Sequence, residues 1–202
     1  MFFANQALKS VKKYRLFYRE LRKSESFINS LDTLTYSLEK SMKSGVALEF
    51  GVFEGKTLRI ISEFFLERTY GFDSFNGLPE DWREGFPKGA FKIDNIPDIP
   101  EANLVVGMFE STLESFLSDL NFPIAFVHID CDLYSSTKYI LDKMNSYIEP
   151  NCVLLFDELI NYPGFEKHEF KALNEWLNEF SRKVKPICYT STHEQVAFRV
   201  IK

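Results

Sequence analysis

The stretch FVHIDCDLYSSTKYIL, residues 126–141, decides how the chain is read. An apolar run from Ile124 to Ile129 stops at Asp130-Cys131-Asp132, and a helix-like segment begins at once. A short apolar run bounded in this way reads as a buried strand. VLLFDE, residues 153–158, repeats the arrangement: an apolar run, then an acidic pair. Two buried strands that both finish in carboxylates predict ends converging on something positive. Acids held close together repel unless a cation neutralises them.

Outward from these two strands (123–130 and 152–157) the pattern alternates. VALEF (46–50), TYGFD (69–73) and NLVVG (103–107) read as strands, with helices expected over 55–67 and 110–119. Helices are expected over 134–147 and 166–181, and VKPICYT (184–190) and EQVAFRVI (194–201) read as strands joined by a short turn. Two helices, near 5–22 and 25–43, open the chain, the second with Ser24 or Ser26 as its cap. Repeated strand–helix units predict an α/β fold: a Rossmann-like parallel sheet with helices on both faces and a C-terminal antiparallel hairpin. In such sheets ligands bind outside the carboxyl ends of the strands, near the point where strand order reverses. The expected organisation is an N-terminal helical segment over 1–43 and one α/β domain over 44–202.

The 202 residues are 45% hydrophobic and 26% charged, a globular composition, and 21 Phe imply a well-filled core. No apolar run approaches the ~18 residues of a membrane helix. The N-terminus lacks the ordering of a signal peptide, so a cytoplasmic protein is expected. Cys131, Cys152 and Cys188 are odd in number and show no CxxC spacing, which reads as small buried hydrophobes. Residues 1–23 carry seven Lys/Arg against one Glu, a charge of +6, so with a net charge of −5 the remainder carries −11. A body this acidic disfavours nucleic-acid binding, which needs a basic surface. In the basic segment Ala4, Leu8, Val11, Tyr14, Tyr18 and Leu21 fall at helical spacing, as for a helix packed on its own domain or on a second subunit, with attachment to an anionic membrane surface as the lesser alternative. A homo-oligomer formed through the N-terminal helices fits this pattern.

Residues 74–102 break the short-loop rule. Four Pro and three Gly punctuate them, and Phe75, Trp82, Phe86 and Phe91 argue for a lid over a ligand and against plain disorder.

EFGVFEG, residues 49–55, follows the first strand of the α/β region and opens a helix. Gly51 and Gly55 permit a tight turn and close approach of a ligand to the backbone. The spacing is GxxxG, not the GxGxxG of dinucleotide sites. The next strand ends in Asp73, 24 residues beyond Glu49, where a carboxylate accepts ribose hydroxyls in nucleotide-binding α/β folds. In this order the features favour an adenosine-containing cofactor.

At this point the chain resembles the class I S-adenosylmethionine-dependent methyltransferases, and more narrowly the macrocin O-methyltransferase family, which acts on sugar hydroxyls. LEFGVFEGKT, YGFDSFNGLPE, VVGMFESTL, FVHIDCDLYSST and LLFDELINYPGFEKHEFKAL carry the resemblance, in family order, over residues 48–173. It implies a seven-stranded sheet. It also implies that Glu49, Gly51 and Gly55 surround the methionine part of S-adenosyl-L-methionine, that Asp73 holds the ribose, and that Gly107, Met108 and Phe109 flank the adenine. Val52, Phe53, Thr57, Ser74, Phe75 and Asp130 complete the implied cofactor-binding set. Asp130, Asp157 and Glu158 would bind a divalent metal, and Asp132 would lie near the acceptor hydroxyl. Where the family often has two Asp after this strand, the chain has Asp157-Glu158.

The chemistry suits these residue types. A sugar hydroxyl is a weak acid, and a metal lowers the pKa of an oxygen bound to it. Mg²⁺ suits carboxylate and water oxygens. Asp132 reads either as the base or as a cap of the following helix. His128, inside an apolar strand, reads as a core residue or as part of the cofactor cleft. His168 opens a helix past the acidic pair and is the second catalytic candidate. His193 reads as solvated. Two other classes remain open: a non-catalytic methyltransferase-like binding protein, and a nicotinamide-dependent oxidoreductase, which the missing GxGxxG disfavours. The expected partner is a small polyhydroxylated acceptor, a sugar or glycoside.

Overall fold

The structure, a computed structural model, describes residues 14–202. The elements in chain order are α1 (Arg15–Leu21), β1 (Glu25–Phe27), α2 (Ser30–Lys40), β2 (Val46–Phe50), α3 (Lys56–Phe65) and β3 (Thr69–Asp73). They continue as β4 (Asn103–Val106), α4 (Phe109–Asp119), β5 (Ile124–Ile129), α5 (Tyr134–Met144), β6 (Val153–Phe156), α6 (Glu169–Glu179), β7 (Val184–Thr190) and β8 (Val196–Val200). The sheet order is β1-β7-β8-β6-β5-β2-β3-β4. β8 runs antiparallel to β6 and β7, and every other neighbouring pair is parallel. This is the expected α/β fold with its C-terminal antiparallel hairpin.

The alternation of side chains along each strand builds two cores. Leu48, Phe50, Val127, Ile129, Leu154 and Phe156 face α1, α4, α5 and α6. Ala47, Phe126, Val153 and Leu155 face Leu34 and Leu38 of α2 and Ile61 and Phe65 of α3. β2, β5 and β6 are buried throughout, which explains their continuous apolar runs. Cys131, Cys152 and Cys188 are free and buried. Among the described residues no helix is long and apolar enough to cross a membrane.

The N-terminal part differs from the sequence expectation. Residues 5–13 of the first expected helix lie outside the described residues. The second expected helix, 25–43, begins instead with β1, which pairs with β7 and makes the sheet eight-stranded. Neither Ser24 nor Ser26 caps α2. The cap is Asn29, whose side chain accepts Asp32 N–H at 2.8 Å, while Ser24 Oγ donates to Leu21 O. Phe27 and Ile28 favour an extended chain, and an Asn at the first competent position then starts the helix.

Residues 74–102 contain no helix or strand, yet they fold back on themselves. Leu78 N–H donates to Ala90 O and Gly89 N–H to Leu78 O, both at 2.8 Å. Phe75, Leu78, Trp82 and Ile99 are buried. Arg83 stacks on Trp82 at 3.9 Å and on Tyr162 at 4.5 Å, and its Nη1 donates to both Glu194 oxygens at 3.0 Å. The loop is therefore pinned to the β7–β8 turn. Glu194→Gln is expected to lower the unfolding free energy by about 1 kcal/mol and to speed amide exchange at Leu78 and Gly89. Unchanged exchange would mean that the loop's own packing holds it.

Candidate active site

Each parallel ladder continues one hydrogen bond past its strand. Gly51 N–H donates to Phe72 O, Asp130 N–H to Phe50 O, Asp157 N–H to Ile129 O and Gly107 N–H to Asp73 O. The first residues after β2, β4, β5 and β6 therefore stand in one row. β2 lies between β3 and β5, so strand order reverses there. A cavity of about 320 Å³ opens over this row, lined by Gly51, Phe53, Asp73, Ser74, Gly107, Met108, Phe109, Asp130, Asp132, Asp157 and Glu158, with Leu78, Pro79 and Phe91 from the long loop. A Cβ on Gly51 would sit 1.7 Å from Asp130 O, so only glycine lets the first loop lie against the end of β5.

One half of the cleft is organised by Asp73. Its Oδ2 accepts Val52 N–H and Phe53 N–H at 2.9 Å, and its Oδ1 accepts Phe75 N–H at 2.7 Å. Phe53 and Phe75 have φ of 49° and 58°, a left-handed conformation costly for aromatic residues, and these bonds hold them in it. A carboxylate offers about four acceptor positions, so one remains for a ligand.

The other half is acidic. Asp132 is buried, with φ of 63°, and Leu133 N–H donates to Cys131 O at 2.6 Å. α5 starts from Leu133 with no side-chain cap, so Asp132 does not cap it. Burial, then the charge of Asp157, push the Asp132 carboxyl up to about 7 against the pull of Arg83. Burial and neighbouring acids raise Asp130 and Glu158 well above the carboxylate range. Asp157 differs. Burial would raise it, but His128, Glu158 and Gln195 together bring it down to about 2.

Several expected cofactor residues stand behind this wall. Glu49 is buried and pairs its Oε1 with His128 Nδ1 at 2.8 Å. Burial, the strongest influence, raises the Glu49 carboxyl against the pull of His128. Val52 and Phe75 pack with Leu58 and Ile99, and Gly55 caps α3 in left-handed conformation. His168 is half-buried beside Trp82 and Tyr162, at ring distances of 6.4 and 6.2 Å, and does not line the cleft. His193 is exposed, as expected.

Three residues escaped the sequence reading. Glu169, the first residue of α6, is fully buried and accepts Glu158 N–H at 3.2 Å. An acid in a first helical turn reads as a complement to the helix dipole, which hides this role. Gln195 donates to Asp157 Oδ1, and the charge of Arg83 acts on the Asp132 carboxyl. Both come from loops, where spacing carries no signal.

The acids fit a cation. Two groups offer ligand atoms within 4.8 Å of one another: Asp130 with Asp132 and Glu158, and His128 with Asp130 and Asp157. The expected trio of Asp130, Asp157 and Glu158 is thus divided between two groups that share Asp130. Glu158 Oε2 is buried and has no hydrogen-bond partner. Carboxylates crowded and desolvated in this way call for positive charge.

Known proteins add to this geometry. Residues 48–159 match the family profile described as "Methyltransferase domain". No curated protein matches the chain. Among solved structures, CalS11, a calicheamicin methyltransferase, superposes with a TM-score of 0.64 at 22% identity, over 84% of this chain and 77% of its own. The O-methyltransferase NovP gives 0.62 at 15% identity, over 85% and 79%. An O-methyltransferase from Bacillus cereus, in complex with SAH, gives 0.51 at 9% identity, over 87% and 83%. These structures share the fold of this chain. The matched segment runs from β2 to the acids after β6 and so contains both halves of the cleft: the chain belongs to the methyltransferase-domain family.

Proposed function

We propose that the protein is an S-adenosylmethionine-dependent O-methyltransferase acting on a hydroxyl of a sugar or another small polyhydroxylated acceptor, with a divalent metal assisting. The observation that carries this reading is one cleft with two unlike halves: a glycine loop clamped by Asp73, and four carboxylates at the ends of β5 and β6. CalS11 is described as a TDP-rhamnose 3'-O-methyltransferase, which favours a sugar hydroxyl here too. The resemblance to macrocin O-methyltransferases points the same way.

S-adenosylmethionine would supply a methyl group on a good leaving group. Asp73 would take a ribose hydroxyl at its free acceptor position. Gly107, Met108 and Phe109 would flank the adenine, and Gly51, Phe53 and Asp130 the methionine end. Asp130, Asp157 and Glu158 would hold the metal, which would acidify a hydroxyl bound to it. Carboxylate and water oxygens alone would suit Mg²⁺. Asp132, with its carboxyl at about 7, would take the proton from the acceptor. Phe53, Phe91 and Leu78 would keep water from the reacting groups.

Two substitutions test the division of labour. Asp132→Asn should lower turnover by ~10²–10⁴, the range for a general base, with SAH affinity nearly unchanged in calorimetry. A loss under tenfold would place the base elsewhere. Asp73→Asn leaves one acceptor where three backbone N–H groups need partners. It should reduce both folding stability and SAH binding by about 1–3 kcal/mol, measured by thermal unfolding and calorimetry. Weaker SAH binding with unchanged melting would show that Asp73 serves the ligand alone.

A further inference from the structure

One buried atom is not accounted for by an all-oxygen site. His128 lies on β5, two residues before Asp130, and is 0% exposed. Its Nδ1 is taken by Glu49 Oε1 at 2.8 Å. Its Nε2 has no hydrogen-bond partner, and the Asp157 Oδ1 atom lies 3.6 Å away, too far for a hydrogen bond. Yet His128, Asp130 and Asp157 each offer a ligand atom within 4.8 Å of the others.

We propose that His128 is a metal ligand through Nε2, together with Asp130 and Asp157, and that the site takes a first-row transition cation in preference to Mg²⁺. The proposal rests on the methyltransferase reading only for what the ion does there, and it changes that reading's ligand set. Imidazole nitrogen suits transition metals, whereas Mg²⁺ is served by oxygen. The surroundings match a ligating histidine. Such a residue almost always gives its other ring N–H to a carboxylate, which fixes the ring and its tautomer. Glu49 supplies that carboxylate. It stands directly across from His128 in the β2–β5 register, so two rigid strands set the ring. Glu49 is then a positioning residue, consistent with its place behind the cleft wall. Gln195 restrains Asp157 through the same Oδ1. Imidazole binds metals in its neutral form, so with Nδ1 keeping its hydrogen toward Glu49 the free electron pair lies at Nε2.

The test uses tag-free, full-length protein stripped with EDTA and reloaded with Mn²⁺. Pulsed electron paramagnetic resonance should show ¹⁴N modulation from a bound imidazole. Tight Mn²⁺ binding without nitrogen coupling, or no stoichiometric binding, overturns the proposal. His128→Gln should abolish the coupling and weaken Mn²⁺ binding by ~10–100-fold. Coupling that persists in this variant assigns the nitrogen elsewhere and also overturns it. The wild-type spectrum stands alone if the variant does not fold. Glu49→Gln should keep the coupling but weaken the metal by ~10-fold, and an unchanged affinity would remove the positioning role. SAH calorimetry on the same stripped protein keeps the two readings apart. SAH binding without nitrogen coupling leaves the methyltransferase and removes His128. Coupling without SAH binding does the reverse.

Discussion

The cleft depends on the contact between Glu49 and His128. The two residues are 79 positions apart in sequence and paired across β2 and β5, with both side chains 0% exposed. A carboxylate buried alone between strands would cost several kcal/mol and would give up its charge. The same holds for an isolated imidazolium. Each makes the other possible, and their pairing requires that β2 and β5 be neighbours, which is the point where strand order reverses. The opening above the sheet and the buried hydrogen-bonded pair beneath it are thus consequences of one crossover.

From this pair the electrostatics spread outward. His128 keeps Asp157 ionised, and Asp157 in turn raises Asp130, Asp132 and Glu158. Glu169 adds a fifth acid from behind and ties the chain at Glu158 to α6. The other half of the cleft solves the opposite problem. There Asp73 faces three backbone N–H groups, so its charge is met without any cation. One half is satisfied as built and holds two aromatic residues in left-handed turns. The other is under-neutralised, with Glu158 Oε2 and His128 Nε2 lacking hydrogen bonds, and gains by taking a positive ion.

The strands of the sheet were legible because each carries its own evidence. VALEF, TYGFD and VKPICYT match β2, β3 and β7 residue for residue, since these runs end abruptly at acids, glycines or turns. The acids of the cleft were legible for the same reason: they terminate strands. β1 was not, because three residues of an edge strand make no periodic pattern and the basic, helix-forming segment before them sets the expectation. Side-chain direction was not legible either. Glu49 and Gly51 are two apart and were given one role, yet the glycine lines the cleft and the acid stands behind it. His168 follows the acidic pair closely in sequence, but the turn at Phe165–Lys167 carries it to Trp82 and Tyr162. Residues that act from loops, Arg83 and Gln195, gave no signal at all.

The two acids of the opening stretch show how a single turn separates roles. In a continued strand, positions 130 and 132 would share a face and an environment. The left-handed turn at Asp132 breaks the strand but keeps the acids near, since their oxygens still fall in one group with Glu158. Their surroundings then diverge. Asp130 lies toward His128 and Asp157, on the rigid sheet. Asp132 lies toward Arg83 and Glu194, that is, toward the long loop and the β7–β8 turn. Arg83 is the neighbour whose charge lowers the Asp132 carboxyl, and it is held in place by stacking on Trp82 and Tyr162 and by its pairing with Glu194. The loop that lines the cleft thus carries the guanidinium whose charge pulls the Asp132 carboxyl down.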